Sequence, residues 1–102
     1  MFNFIKSISR KKKLKNQIAK VKSSLTQLGS ILEIRGGAQI SLLDGSTKDD
    51  IVVHNNVMLL DCSILSTCGG KVLLGNYVKI GQRSNISAVE RIEIGDYKEI
   101  KN

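Results

Sequence analysis

Hydrophobic residues near the start of the chain recur at helical spacing. Five of them are separated by four, three, four and three residues, which places them on one face of an α-helix. They are Leu14, Ile18, Val21, Leu25 and Leu28. Phe4 and Ile8 extend this stripe towards the N-terminus, and Gly29 follows it as a helix-ending residue. The pattern predicts an amphipathic helix from about residue 4 to residue 28.

After residue 30 the hydrophobic period changes to six residues. An aliphatic residue opens each six-residue unit, and the fifth position tends to be small or β-branched. The units open at Val53, Leu59 and Leu65, and then at Leu74, Ile80 and Ile86. Ile34 looks like an earlier start of the same series, and Ile94 and Ile100 open a third set. Neither a helix nor an ordinary strand has this period.

The grouping of the units in threes indicates a coil with three sides. Nine residues separate Leu65 from Leu74 and eight separate Ile86 from Ile94, so each set of three ends with a short insertion. Tandem repetition of this kind is typical of a solenoid. We therefore predict about three laps of a parallel β-helix, with the opening residue of each unit pointing inwards. A sandwich of short strands is the alternative, but it would show hairpin turns and plain alternation.

Small and turn-forming residues follow the aliphatic positions and predict where the coil bends. Glycine occupies the second position of several units: Gly75, Gly81 and Gly95. The next residue is often Asn or Asp, as at Asn55, Asp61, Asn76 and Asp96. These residue types tolerate left-handed backbone angles, which sharp corners require. The sequence thus divides into a helical segment at residues 1–29 and a β-helix at residues 30–102.

Charge is concentrated in the helical segment. Residues 1–28 carry eight of the sixteen Lys and Arg residues and no acid, so the net charge of +7 belongs to this segment. Three uses of the helix stay open: packing on the rest of the protein or a neighbouring copy, lying on an anionic membrane surface, or contacting nucleic-acid phosphates. No stacking aromatic residues accompany the lysines, so we predict no nucleic-acid partner. No apolar run has the length of a membrane span.

Few residues suggest chemistry. Cys62 and Cys68 lack zinc-site spacing, and the single histidine, His54, is too isolated to complete a metal site. Both cysteines are expected to fill corners as reduced thiols, which favours a cytoplasmic protein. His54 is expected to be a corner residue that faces solvent. We therefore predict no catalytic residue and no metal ligand in the chain, and we assign no cofactor-binding residue.

Several stretches of the repeat region resemble the hexapeptide-repeat acyltransferases, most closely the O-acetyltransferases of capsule and surface-polysaccharide synthesis. They are "IVVHNNVMLL" and "GGKVLLGNYVKIGQRSNISAVERIEIGDY", together with the basic leader. The resemblance implies a left-handed β-helix and a homotrimer. It also implies acetyl-CoA as co-substrate between subunits and a saccharide hydroxyl as acceptor. In this family a His takes the proton of the attacking hydroxyl.

The end of the chain departs from the family pattern. Family members continue with further laps after "IEIGDY" and carry the catalytic His in a loop beyond, whereas this chain reads "KEIKN". We expect an N-terminal fragment that lacks the catalytic His and does not itself bind acetyl-CoA. The alternative function is a non-enzymatic β-helix scaffold, docked to a partner or a membrane surface through residues 1–28. Either way we expect a cytoplasmic protein, in the second case membrane-peripheral.

Overall fold

One helix is followed by a series of short strands. A computed structural model of the protein describes residues 15–100, in which helix α1 occupies residues 15–23. The strands are β1 (Thr26–Gln27), β2 (Leu32–Arg35), β3 (Gln39–Leu43), β4 (Ile51–Val53), β5 (Val57–Leu60), β6 (Ser63–Thr67), β7 (Lys71–Leu74), β8 (Lys79–Ile80), β9 (Asn85–Ala88), β10 (Arg91–Ile94) and β11 (Glu99–Ile100). A short 3-10 helix at Lys48–Asp50 precedes β4.

The strands form three parallel sheets, each of which receives one strand from each complete lap; β10 and β11 add a fourth strand to two of the sheets. Their orders are β1-β4-β7-β10, β11-β8-β5-β2 and β3-β6-β9. Every strand pairing in these sheets is parallel. The architecture is therefore the predicted one, a β-solenoid of about three turns that matches a left-handed parallel β-helix.

Aliphatic residues that open the six-residue units stack inside the coil. Val53 pairs with Leu74 and Leu59 pairs with Ile80 in neighbouring laps, and all four side chains are almost fully buried. Because strands in a sheet are about 4.8 Å apart, equivalent side chains touch along the coil axis. Full burial of one such side chain contributes about 1.5 to 3 kcal/mol. The predicted inward direction is confirmed at these positions.

In strand β6 the predicted inward position is wrong by one residue. In β6 the buried residues are Ile64 and Ser66, while Leu65 faces outwards and is half-buried. The cause is a shorter turn: five residues separate Leu59 from Ile64, whereas six separate Ile80 from its successor Ile86, which pairs with Ile64. A shift of one residue exchanges the two faces of a strand. The six-residue count thus placed Leu65 on the wrong face.

Helix α1 ends earlier than predicted and covers the first lap of the coil. It stops at residue 23 rather than 28, because Thr26 and Gln27 pair with β4. Val21 and Leu25 of the predicted stripe are buried against the core, and Ile18 packs beside them. Leu28 is exposed. Ile18, Val21 and Leu25 therefore pack on the protein itself, and residues 4–14 of the predicted helix lie outside the described range.

Replacing Ile80 with Asp should unfold the repeat region. The side chain of Ile80 is fully buried, so the carboxylate would lose its hydration without gaining a partner, at a cost of several kcal/mol. Loss of the β-sheet signal in circular dichroism is expected. Val89→Asp, at an exposed apolar residue, serves as the control and should retain the signal. An Ile80→Asp variant as stable as this control would contradict the inward assignment.

Candidate functional site

The first corner of the coil joins β1 to β2, β4 to β5, β7 to β8 and β10 to β11. It carries a ladder of side-chain hydrogen bonds between laps. Asn55 Oδ1 accepts from the backbone N–H of Ser30 at 2.8 Å, and Asn76 Oδ1 accepts from that of Asn55 at 3.0 Å. Asp96 Oδ1 accepts from the backbone N–H of Asn76 at 2.7 Å. Asn and Asp therefore recur here because their oxygens satisfy corner N–H groups of the preceding lap.

The left-handed backbone angles lie one residue further on than predicted. Asn56, Tyr77 and Tyr97 each have φ of 58°, whereas Asn55, Asn76 and Asp96 do not have positive φ. Only Asp61, at the second corner, combines the predicted residue with a positive φ, of 43°. A strained backbone angle of this kind costs about 1 to 3 kcal/mol in a bulky residue. Stacking of the Tyr77 and Tyr97 rings, with centroids 5.0 Å apart, offsets part of this cost.

Gly75 is required by the close approach of the next lap. A Cβ atom at Gly75 would lie 2.4 Å from Asp96 Oδ1 and 3.1 Å from the Asp96 backbone nitrogen. The neighbouring position one lap later, Gly95, has no atom within 4 Å of such a Cβ. The absent side chain at Gly75 thus makes room for the hydrogen bond between Asp96 and Asn76.

His54 occupies the position that is glycine in the following two laps. Its ring is half-buried, and its Nδ1 lies 2.9 Å from the carbonyl oxygen of Leu74 in the next lap. A carbonyl oxygen only accepts hydrogen bonds, so Nδ1 carries the proton in the neutral ring. Nε2 is then a hydrogen-bond acceptor. The sequence placed His54 correctly at a corner but did not predict this anchored orientation.

A groove of about 210 Å³ runs along this corner beside His54. It is lined by four polar residues, three aliphatic residues and two glycines: His54, Asn76, Glu93 and Asp96, then Leu73, Leu74 and Ile94, then Gly75 and Gly95. At Gly95 a Cβ atom would meet no atom within 4 Å, so the missing side chain there leaves open space along the groove. Glu93 is exposed and forms an ion pair with Arg91 at 3.2 Å. We name this feature the corner groove.

A second groove, of about 230 Å³, follows the seam between α1 and β3. Gln17 Nε2 donates a hydrogen bond to the carbonyl oxygen of Ala38 across this seam, at 2.9 Å. Lys20 and Val21 line the helix side, and Gln39 and Ser41 line the strand side. Its polar groups include no histidine, cysteine or acid, so it offers packing between elements rather than acid–base chemistry.

The two cysteines differ from each other in environment. Cys62 is buried at the second corner, one lap from Ala38 and one lap from Ser84, and it fills the corner as predicted. Burial raises the pKa of its thiol to about 11, so the thiol is protonated at neutral pH and is a poor nucleophile. Cys68 is exposed and has φ of 55°. It therefore does not fill a corner, in contrast to the prediction.

An ion pair between buried Asp50 and exposed Lys71, at the third corner, was missed by the sequence analysis. Asp50 is buried and accepts hydrogen bonds from Lys71 Nζ and, at 2.8 Å, from the backbone N–H of Thr47. The hydrogen bond from Lys71 is the largest cause that lowers the pKa of Asp50, followed by that from Thr47. The pair ties the excursion between β3 and β4 to β7. Twenty-one residues separate its members, so no local spacing revealed it.

Two further observations concern metals and membranes. Among residues 15–100, no group of three or more His, Cys, Asp or Glu side chains is arranged to hold a metal ion. Within that same range, no helix combines the length and the apolar character needed to cross a bilayer.

Comparison with known proteins gives no relative: no protein-family model, no curated protein and no solved structure matches the chain. The functional argument therefore depends on the fold and on the corner groove.

Gly75→Ala and Gly95→Ala should have opposite effects on stability. Gly75→Ala forces Asp96 away, so we expect a loss of about 1 to 3 kcal/mol in the free energy of unfolding. Gly95→Ala meets no neighbour and has no positive φ, so it should stabilise by up to about 1 kcal/mol through the unfolded chain. Urea unfolding of both variants measures the difference. Equal effects would show that the approach of Asp96 does not determine the residue at Gly75.

Asp50→Asn should remove part of the pH dependence of stability. The folded-state pKa of Asp50 lies below its ordinary value of 3.8, so its contribution is complete above that pH. The contribution is lost as pH falls through the lowered pKa. The variant should be less stable at neutral pH and should lose less stability on acidification. Asp49→Asn, at the exposed neighbour, is the control; an Asp50→Asn variant with the wild-type acid slope would contradict the assignment.

Proposed function

We propose that this chain is the β-helical part of an acyltransferase that moves an acetyl group from acetyl-CoA to a saccharide hydroxyl. The observation that carries the proposal is the three-sided parallel coil, in which aliphatic columns alternate with Gly–Asn/Asp corners. The same six-residue units carry the resemblance to hexapeptide-repeat acyltransferases. The fold therefore agrees with the resemblance, and the chemistry comes from the resemblance.

We further propose that the catalytic base is not supplied by residues 15–100. Acetyl transfer needs a group that accepts the proton of the attacking hydroxyl. Cys62 is buried and protonated. His54 makes its observed hydrogen bond to a backbone carbonyl rather than to a carboxylate that would orient it as a general base. The active enzyme on this proposal is a larger assembly, and acetyl-CoA binds there rather than to this chain alone.

The outer surface of the coil is suited to side-by-side association of several copies of this chain. Outward-facing positions on the central laps are apolar and only half-buried: Val52, Met58, Leu60, Leu65 and Leu73. Packing against a neighbouring coil would remove this apolar area from water. These positions support the proposed homotrimer, in which an active site lies between subunits.

A non-enzymatic scaffold is the second candidate, and the packing of α1 favours it in one respect. Val21 and Leu25 cover the first lap, as a capping element of a solenoid does, while Lys15, Lys20 and Lys22 remain exposed. A basic surface of this kind suits contact with an anionic partner or membrane surface. Such contact would use the lysines, because Val21 and Leu25 already pack on the coil.

An affinity-purification assay tests the transferase proposal. The tagged chain is expressed in its source cells, recovered with its partners, and incubated with radiolabelled acetyl-CoA and a set of saccharides. We expect acetyl ester formation by the recovered assembly and only background transfer by the purified chain. The non-folding Ile80→Asp variant should recover no activity.

Two other outcomes of this assay would contradict parts of the proposal. A recovered assembly without acetyl transfer would contradict the transferase proposal and favour the scaffold. Robust transfer by the purified chain would contradict the statement that the catalytic base lies elsewhere.

A further inference from the structure

The corner groove has the composition of a binding site for a neutral, hydroxyl-bearing ligand. We propose that it binds one sugar ring of a saccharide, with His54 Nε2 accepting a hydrogen bond from a ring hydroxyl. The inference deepens the proposed function, on which it rests, because it names a place where the acceptor saccharide is held. It assigns His54 a binding role.

His54 is presented to the groove by the repeat itself. The imidazole stands at the corner of one lap, and in the next two laps the corresponding residues are Gly75 and Gly95, which both line the groove. A Cβ atom at Gly95 would meet no atom within 4 Å, so the groove is open on that side. The hydrogen bond from Nδ1 to the Leu74 carbonyl fixes the ring and its tautomer. Nε2 is therefore pre-oriented as an acceptor, which lowers the entropy cost of binding a hydroxyl donor.

The remaining polar groups of the groove also suit hydroxyls. Asp96 uses one carboxylate oxygen on the backbone N–H of Asn76, and its second oxygen is a further acceptor site. Glu93 also lines the groove and carries two carboxylate acceptors, and Asn76 carries an amide group with two N–H donors. Saccharide hydroxyls donate and accept, so they can satisfy all of these groups.

Charge argues against an anionic ligand in this groove. It is lined by two carboxylates, and no Lys or Arg lines it. Although Glu93 is paired with Arg91, the lining offers no cation to the phosphate groups of a ligand such as coenzyme A. The corner groove is therefore distinct in chemistry from a site for acetyl-CoA.

Size limits the ligand as well. The groove measures about 210 Å³, below the range of roughly 300 to 1,000 Å³ that holds drug-sized ligands. One sugar ring of a longer chain fits this scale better than an extended oligosaccharide. An open groove with few hydrogen bonds should bind weakly, with a dissociation constant on the order of 1 mM or above.

Nuclear magnetic resonance of the full chain tests the proposal directly, because His54 is its only histidine. Long-range ¹H–¹⁵N spectra should report the Nδ1–H tautomer without ligand. Methyl glycosides of glucose, galactose and N-acetylglucosamine are then added, and saturation-transfer difference spectra follow their binding. We expect at least one glycoside to shift the Nε2 resonance saturably.

Two variants separate the role of Nε2 from that of the fold. His54→Asn keeps a side-chain N–H for the Leu74 carbonyl and removes Nε2, so glycoside affinity should fall about fivefold to tenfold. Leu28→Asn is the control: Leu28 is the counterpart of His54 in the preceding lap, and it does not line the groove. This variant should leave glycoside affinity unchanged. Glu93→Gln changes an exposed side chain and should also weaken glycoside binding. It replaces His54→Asn in the test if that variant does not fold.

Several results would overturn the proposal. They are an Nε2–H tautomer, no saturable shift with any glycoside, equal affinity in His54→Asn and Leu28→Asn, or binding of putrescine in preference to the glycosides. These outcomes are independent of acetyl transfer. Glycoside binding without acetyl transfer by the recovered assembly would support the binding site in the corner groove and contradict the transferase proposal. Acetyl transfer without glycoside binding would contradict only the binding site.

Discussion

The spacing of parallel strands, about 4.8 Å from lap to lap, is the constraint on which the rest of this structure depends. It brings the same position of each lap into contact, so each residue is selected by its counterparts above and below. Inside the coil this favours aliphatic columns such as Leu59 and Ile80. At the first corner it brings Asp96 so close to Gly75 that a Cβ atom there has no space. The lap spacing therefore explains the sequence period and the corner residues together.

The period alone was enough to predict a three-sided parallel coil, because a column of contacts repeats at a regular interval in the sequence, whereas its left hand was expected only from the family resemblance. The period was not enough to predict register within each lap. The step from Leu59 to Ile64 is one residue shorter than the equivalent step from Ile80 to Ile86, and this moved Ile64 into the place expected for Leu65. The helix end was misjudged for a related reason. Thr26 and Gln27 are recruited as a strand by β4, and that partner lies 26 residues away in sequence.

The functional features were harder to predict because each depends on contacts between laps. Asn55, Asn76 and Asp96 were identified as corner residues, but for their backbone angles rather than for the hydrogen bonds that they make to the preceding lap. The corner position of His54 was predicted from the repeat, whereas the orientation of its ring depends on a carbonyl group 20 residues later. In a repeat such partners are predictable in principle, because the number of residues per lap determines which residues become neighbours. Where a lap gains or loses one residue, the neighbours can no longer be predicted from the lap length.

A binding site on a solenoid needs an interruption of the repeat, because a perfect column has neighbours at every position and no space between them. His54 is such an interruption: one large polar side chain stands in a position that holds glycine in the next two laps. The interruption produces a recess and a polar group in the recess at the same time, and the regular backbone beside it fixes the orientation of that group. In the described residues the corner groove unites these conditions, whereas the groove beside α1 results from packing of the helix on the coil. Departures from the repeat, rather than the repeat itself, are therefore where ligand recognition is to be sought in this protein.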